Sequence, residues 1–474
     1  MSGITQELAR FALDTKWEDL PPTIIHEIKR VIMDSIGCVI GALTIDKGKM
    51  YAALGRRYGG PPEVSIFGTD NKTSLSTAAL VNGELMFTLD FHTIMSGAHD
   101  GAYILPTLLA IAESVGASGK DLILAAALGF EISSRLAIAV GQHNASPRIP
   151  KIGEPRYRPG NAHSNLGAAA GASLLMKFDE EKTLHAMGMA GHLCQVMTKI
   201  RWGGGERSYG FKYGVPGFQS TGAVTAILLA EMGFTGDTTV LDDPERGFPY
   251  FCGYTVWQPE RIMEDIGETW FFTQGLHYKP YPCCGVFHGV MDCFNDIIEQ
   301  NNLMPEEIES VKVNCMAGMY TGPNVVREIQ SNLSAAQFYP PYLFSLLAHR
   351  VKIGPEWHDK TTVRDPKIIK FMDKVTCDTS LPDPQLRTSP NPANTPSRCE
   401  VVARGKTFTL ELERNQRRGT LGSARAPTDD DIINKFRHNA ERILIQEKID
   451  RAVDTLINLE KFDNISDLIR YVIL

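Results

Sequence analysis

Residues 90–99 bring together Asp90, His92, Thr93 and His99, an acid, a hydroxyl and two imidazoles in one short segment. An imidazole titrates near neutral pH and so suits a proton carrier, with Asp90 placed to orient His99 or to act on a substrate. The segment lies at the end of one expected helix and in the loop before the next, where polar groups can project into a cleft. On spacing alone a plainer account carries more weight, in which Asp90 caps the following turn and His99 is a satisfied interior histidine.

A second group is Lys279-Pro-Tyr-Pro-Cys-Cys-Gly-Val-Phe-His288. Its two prolines fix the approach to a helix expected to begin near Cys284, and the free amides and dipole of a helix start attract anions. Lys279, with Tyr281 and Cys284 beside it, is therefore a candidate carboxylate pocket. Cys283, Cys284 and His288 lack the further ligands of a metal cluster, and no spacing supports a cysteine nucleophile; packed thiols at a helix start are the ordinary reading. In the glycine-rich stretch 203–217, Lys212 offers a compact positive charge for a carboxylate and Arg207 is its rival. Taken alone, either is a solvated loop cation. Arg158 and His163 precede the helix expected from Asn165.

These groups must be held by a chain of 474 residues, long enough for two structural domains. With 43% hydrophobic and 22% charged residues it is expected to fold fully. A net charge of -7 gives no overall field that favours nucleic acid or an anionic membrane, so an anionic ligand must be held locally. Nine cysteines stand singly except for Cys283-Cys284 and read as reduced thiols of a cytoplasmic protein. Residues 1–17 do not resemble a signal peptide. The most apolar stretch, 121–140, meets Glu131 and Arg135 before it reaches the roughly 18 clean residues of a membrane span.

From Pro21 to about Met232 apolar residues recur at the helical period, which predicts helices over 23–43, with Thr23 as cap, and over 74–89, 104–115, 120–140, 165–178, 180–197 and 218–232. Gly116 and Gly233 stand where two of them should end. The helices around Gly167-Ala-Ala-Ala-Gly-Ala and 186–191 are poor in propensity at their glycines, so close packing deep in the core must offset this. After Trp270 the texture changes to a helix over 286–300, an alternating strand over 308–315, and a hairpin of 399–403 and 407–412 about Arg404-Gly405. Residues 379–397, rich in Pro, Asn and Ser, read as an exposed loop. From Pro427 helices return. The expected architecture is mainly α: a large all-helical domain from 1–268, completed by C-terminal helices in 415–474, and a smaller α+β lid domain over 269–414.

The segment Asn82-Gly-Glu-Leu-Met-Phe-Thr-Leu-Asp-Phe, followed by His99-Asp-Gly-Ala-Tyr-Ile-Leu-Pro and Ala112-Glu, resembles the signature of the MmgE/PrpD family. That family contains 2-methylcitrate dehydratase, cis-aconitate decarboxylase and iminodisuccinate epimerase. Phe67-Gly-Thr-Asp, Gly116-Ala-Ser-Gly-Lys-Asp-Leu, Gly129-Phe-Glu, Gly167-Ala-Ala-Ala, Gly233-Phe-Thr-Gly, the Lys279 motif with His288, and Pro427-Thr-Asp-Asp-Asp with Lys435-Phe follow in the family's order. The resemblance implies a helical domain with an α+β lid, a homodimer, no organic cofactor, and a site between the domains. It implies catalytic roles for Asp90, Thr93, His99, Lys212 and Lys279.

Two departures stand out. The family's His-Pro pair before the Gly-Ala-Ala-Ala helix is replaced by Arg158-Pro159, with His163 nearer the helix. His92 stands where many relatives have another aspartate, which bears on substrate charge and on which group takes the proton.

With these parts, loss of hydroxide after proton removal next to a carboxylate is dehydration, reprotonation on the other face is epimerisation, and loss of CO2 followed by protonation is decarboxylation; fixed charges stabilise all three. The expected function is a cofactor-independent lyase acting on a small di- or tricarboxylate. One alternative is an isomerase or epimerase of a dicarboxylate such as iminodisuccinate. The other is a non-catalytic dimeric binding protein on the same fold, since fold alone does not give function. No cysteine triplet for an iron–sulfur cluster is seen, and no metal, nucleic acid or membrane partner is expected.

Overall fold

The computed structural model describes residues 3–95, 99–141, 161–195, 216–254, 256–314, 333–378 and 397–474. Arg158, Arg207 and Lys212 lie outside these residues, as does nearly all of the loop expected over 379–397. The apolar rows become α2 (Pro22–Ala42), α4 (Leu75–Thr88), α5 (Asp100–Val115), α6 (Gly119–Ala139), α7 (Ser164–Leu175), α8 (Glu180–His192) and α9 (Pro216–Glu231). Ahead of α2 lies α1 (Ile4–Asp14), and α3 (Asp46–Tyr58) follows it.

Helix α7 stops at Leu175, three residues short of expectation, and three other ends differ for local reasons. Thr23 does not cap α2, because Pro22 takes the first helical position, where its missing N–H costs nothing. Helix α8 stops at His192, five residues early, and the Leu193 carbonyl turns against Gly222 of α9, closer than any Cβ would allow. Helix α5 begins at Asp100, one turn early, which puts His99 at its N-cap and Asp100 in its first turn. Ser74 and Ser118 cap α4 and α6 by accepting from Thr77 N and Asp121 N. Gly116 and Gly233 have positive φ, as helix-ending glycines do.

The Gly/Ala-rich α7 is buried at every residue but Leu174. It crosses α6 so closely that a Cβ on Gly167 would run into the Gly129 carbonyl, and one on Gly171 into that of Ala125. Helix α6 is long and apolar enough to cross a membrane by length and composition, yet it is packed inside this core. Its Glu131 and Arg135 are fully buried and paired at 2.7 Å. The Arg135 guanidinium also donates to the carbonyls of Ile262, Glu264, Asp265 and Thr269, and Glu131 accepts from Phe272 N. That clamp fixes the chain as it leads toward Lys279.

Buried apolar residues form two clusters. The first runs from Leu8 to Tyr278 and resumes at Ile432; the second runs from Tyr281 to Leu412. In the second, α10 (His288–Gln300), α11 (Pro340–Ala348) and α12 (Pro366–Met372) accompany a four-stranded sheet of β3 (Ile308–Asn314), β4 (Val375–Asp378), β5 (Ser397–Ala403) and β6 (Lys406–Leu412). The order is β4-β3-β5-β6, with β3 and β4 parallel and the other pairs antiparallel. Arg404 and Gly405, both at positive φ, make the hairpin turn that the sequence predicts. A short β1 (Val64–Ser65) and β2 (Lys72–Thr73) pair separately. After the sheet the chain returns as α13 (Asp429–Ala440), α14 (Gln446–Ile457) and α15 (Ser466–Val472). Phe436 and Asn439 of α13 lie against Gly37 and Gly41 of α2.

Gly167→Ala should lower the thermal midpoint. Alanine gains up to about 1 kcal/mol of helix propensity, but overpacking a rigid backbone contact costs about 1–3 kcal/mol. A calorimetric midpoint at or above that of the unaltered protein would show that the α6–α7 crossing can relax.

Candidate active site

The site is built where α4 ends. Asp90 closes the turn after Leu89, its N–H donating to the Phe87 carbonyl at 3.0 Å, and takes φ 51, a left-handed conformation that aspartate tolerates better than most residues. Its carbonyl and its carboxylate face one ammonium. Lys279 Nζ donates to Asp90 O at 3.1 Å and forms a close ion pair with Oδ1, both side chains fully buried. The carboxylate serves this pair rather than a turn cap. Burial pushes the Lys279 ammonium down to about 8, while Cys284, Cys283, Cys38 and Asp34 pull it back up; it is charged at neutral pH.

A second pair stands beside the first. Thr93 Oγ1 donates to Asp34 Oδ2 at 2.7 Å, and Lys435 Nζ lies 2.7 Å from Asp34 Oδ1. Lys435 also donates to the carbonyls of Phe91 (2.6 Å) and Lys279 (3.0 Å), and sits 3.7 Å from the Phe91 ring centroid. The two lysines differ in where their acceptors lie. Among the described residues each ammonium donates two hydrogen bonds: Lys435 to the carbonyls of two different residues, with Asp34 beside it as an ion pair, and Lys279 only to Asp90.

The next residues are strapped down. Ile94 exchanges backbone hydrogen bonds with His277 at 2.9 and 2.8 Å. The side chains around His277 form a chain whose protons can be placed, because it ends on a carbonyl that only accepts. His288 must donate from Nε2 to Cys283 O (3.3 Å), so its Nδ1 accepts from His277 Nε2 (3.1 Å), and His277 Nδ1 accepts from the Thr420 hydroxyl (3.0 Å). Burial and the neighbouring His277 hold His288 well below the usual imidazole range, which keeps it neutral. Gln337 accepts from Cys284 N at 3.1 Å and donates to the Thr88 carbonyl at 2.9 Å, tying this turn to the end of α4.

His92 and His99, both buried, meet at 2.9 Å between Nε2 and Nδ1, with the Phe87 ring 4.9 and 5.2 Å from theirs. Burial lowers His92 well below the usual range, and His99, Lys279 and Lys435 add to the effect. Asp100, the next residue, accepts from Ser133 (3.0 Å) and Ser164 (2.6 Å) on Oδ1, and burial raises its carboxyl to about 6. His163 Nε2 is 3.9 Å from that oxygen, and its Nδ1 is 3.1 Å from the Tyr254 hydroxyl.

The structure thus joins Asp90, His92, Thr93, His99 and Lys279, and places His163 against Asp100, the residue after His99. Tyr281 is turned away: its hydroxyl donates to Asp292 at 2.9 Å and its ring stacks on Trp357. Cys284 is buried before a single tight turn, Gly285–Phe287, and α10 itself begins only at His288. Asp34, Lys435 and His277 are site residues that sequence reasoning missed. Asp34 left one signal, a carboxylate in the largely apolar second half of α2, residues 31–42.

Asp90, His92 and His99 offer ligand atoms within 4.8 Å of one another. A cation there would have to displace Lys279 from Asp90 and break the imidazole pair, so the donor set suits protons better than a metal. Glu356, His438 and Glu441 form a similar group, held together by their own hydrogen bonds and by Lys352. A cavity of about 560 Å³ lined by Trp17, Ser118, Lys120 and residues 460–463 contains none of the candidate residues.

Two family models match this chain, the MmgE/PrpD N-terminal domain over residues 6–260 and the MmgE/PrpD C-terminal domain over 281–459. The chain belongs to the MmgE/PrpD family. Similar proteins include the cis-aconitate decarboxylases of Homo sapiens and Mus musculus, each 25% identical across 99% of this chain and 94% and 93% of their own. That of Aspergillus terreus is 21% identical across 99% of this chain and 95% of its own. In this MmgE/PrpD chain the ion pair lies at the change between the two cores: Asp90 follows α4 of the first, and Lys279 lies between Tyr278 of the first and Tyr281 of the second.

Lys279→Met leaves the Asp90 carboxylate buried without its cation and should destabilise by about 3–5 kcal/mol. Adding Asp90→Asn should recover much of that loss. Urea unfolding of the four proteins measures the coupling, and strictly additive losses would mean that the two groups do not interact.

Proposed function

We propose that this protein is a lyase that decarboxylates cis-aconitate or a close tricarboxylate analogue, with side chains alone supplying the charge and the proton. The observation that carries the reading is a buried ammonium that, among the described residues, donates to Asp90 alone and stands beside an imidazole pair, in a chain that matches cis-aconitate decarboxylases over 99% of its length.

The chemistry follows from the substrate. When the carboxylate on the saturated carbon leaves as CO2, the electron pair of the broken C–C bond enters the allylic system and spreads onto a remaining carboxylate. A proton then adds at the former alkene CH, the double bond having shifted. One proton is consumed for each CO2 released. Lys279 stabilises the spreading charge, a fixed electrostatic contribution of the kind that usually dominates such barriers. His99 supplies the proton, Asp90 and Thr93 hold the frame, and Lys212, with Arg158, His163 or Arg207, binds the outer carboxylates.

Proton NMR in D2O with cis-aconitate, 2-methylcitrate and iminodisuccinate tests this reading. Decarboxylation predicts loss of one carboxyl carbon and one new carbon-bound deuterium. A new alkene with all carboxyls kept would make the protein a dehydratase; exchange alone would make it an isomerase. No change in any compound would leave a binding protein.

The pH dependence has a definite sign. Lys279 is charged below about pH 8 and neutral above it, so KM should rise several-fold between about pH 7 and pH 9 as the carboxylate loses its partner. A KM flat across that interval would remove Lys279 from substrate binding.

A further inference from the structure

We infer that His92 is a positioning residue that fixes the tautomer of His99, holding its proton on Nε2 so that neutral His99 can give a proton at that nitrogen but cannot accept one there. The role in turnover rests on the decarboxylation reading; the tautomer does not.

The hydrogen bond between His92 Nε2 and His99 Nδ1, 2.9 Å long, contains one proton, and the other end of His92 decides which ring owns it. His92 is completely buried, and its Nδ1 has no partner among the described residues. If His92 accepted at Nε2, its own proton would sit on Nδ1 as a buried N–H with nothing to donate to. Such orphan donors are rarer in folded proteins than unfilled acceptors. If His92 donates from Nε2, the unpartnered Nδ1 presents only a lone pair. The Asp90 carbonyl and Oδ1 both accept from Lys279. Phe87, packed on both rings, offers neither donor nor acceptor.

His92 therefore donates, His99 accepts at Nδ1, and the single proton of neutral His99 is at Nε2. A dehydratase or epimerase that starts by removing a carbon-bound proton with this histidine would find Nε2 already occupied. A decarboxylase needs the opposite. As the C–C bond breaks and CO2 departs with no proton, its electron pair passes to the allylic carbon. The Nε2–H bond of His99 then breaks and its proton forms the new C–H bond. The imidazolate left behind takes a proton from water, closing the balance at one proton per CO2.

The test reads the tautomer directly. The full-length protein is labelled with 15N in its 12 histidines, and the His92 and His99 signals are assigned through single variants. We expect His99 to show a bare Nδ1 and a protonated Nε2; a proton on His99 Nδ1 overturns the inference whether or not the protein is active. The isosteric pair His92→Asn and His92→Asp differ in the ability to donate. His92→Asn should keep kcat for CO2 release within about tenfold, whereas His92→Asp should lose about 100-fold or more in kcat, in the range general acid catalysis contributes, with KM changed less than about threefold. Equal kcat in the two variants would also overturn it. If the unaltered protein releases no CO2 from cis-aconitate, the proposed function fails, and the labelled spectrum still decides the tautomer.

Discussion

Lys279 and Asp90 meet where solvent does not reach either side chain. A lone buried charge of either sign is costly, and the cost of leaving one unpaired exceeds the net gain from the pair. The pair therefore works as a constraint more than as glue: neither α4 nor the chain between the two cores can settle without the other. The left-handed turn at Asp90, the strap between Ile94 and His277, and the Gln337 link to Thr88 all hold the two segments in the register this contact demands.

The second pair, Asp34 with Lys435, shows how like groups acquire unlike duties. Both lysines are paired with a buried aspartate and both donate to carbonyls. Lys435 donates to the carbonyls of Phe91 and Lys279 and pairs with Asp34, so its charge ties three segments together. Among the described residues Lys279 donates to Asp90 alone. The role of each cation is set by which residues turn acceptors toward it.

Helix positions were legible wherever large apolar residues recur at the helical period, as in α2 and α6, and the hairpin was legible because Arg404-Gly405 tolerates positive φ. Helix α3 was not, because its buried stripe is Gly48, Ala52 and Gly55, small residues chosen for close approach that leave no hydrophobic signal. The pairing of β3 with β4 joins segments some sixty residues apart, and nothing local announces it. In the site, the local group of residues 90–99 and Lys279 could be read from motif and residue type. Asp34 and Lys435 could not be paired, since no local pattern links positions about 400 residues apart. Tyr281 misled because its place in a motif says nothing about Asp292, which takes its hydroxyl.

The seat of Lys435 on α13 has a temporal side. A ribosome makes this chain from its amino end, so Asp34, Thr93 and Asp90 exist as an incomplete charge arrangement until their cations are made. Lys279 follows Asp90 by 189 residues and Lys435 follows Phe91 by 344. Nascent chains tend to fold from the amino terminus first, but here the early helices carry two acidic groups whose neutralising partners come later. The nascent chain is thus kept from locking its polar centre early, and newly made molecules acquire their charged interior as the last helices dock.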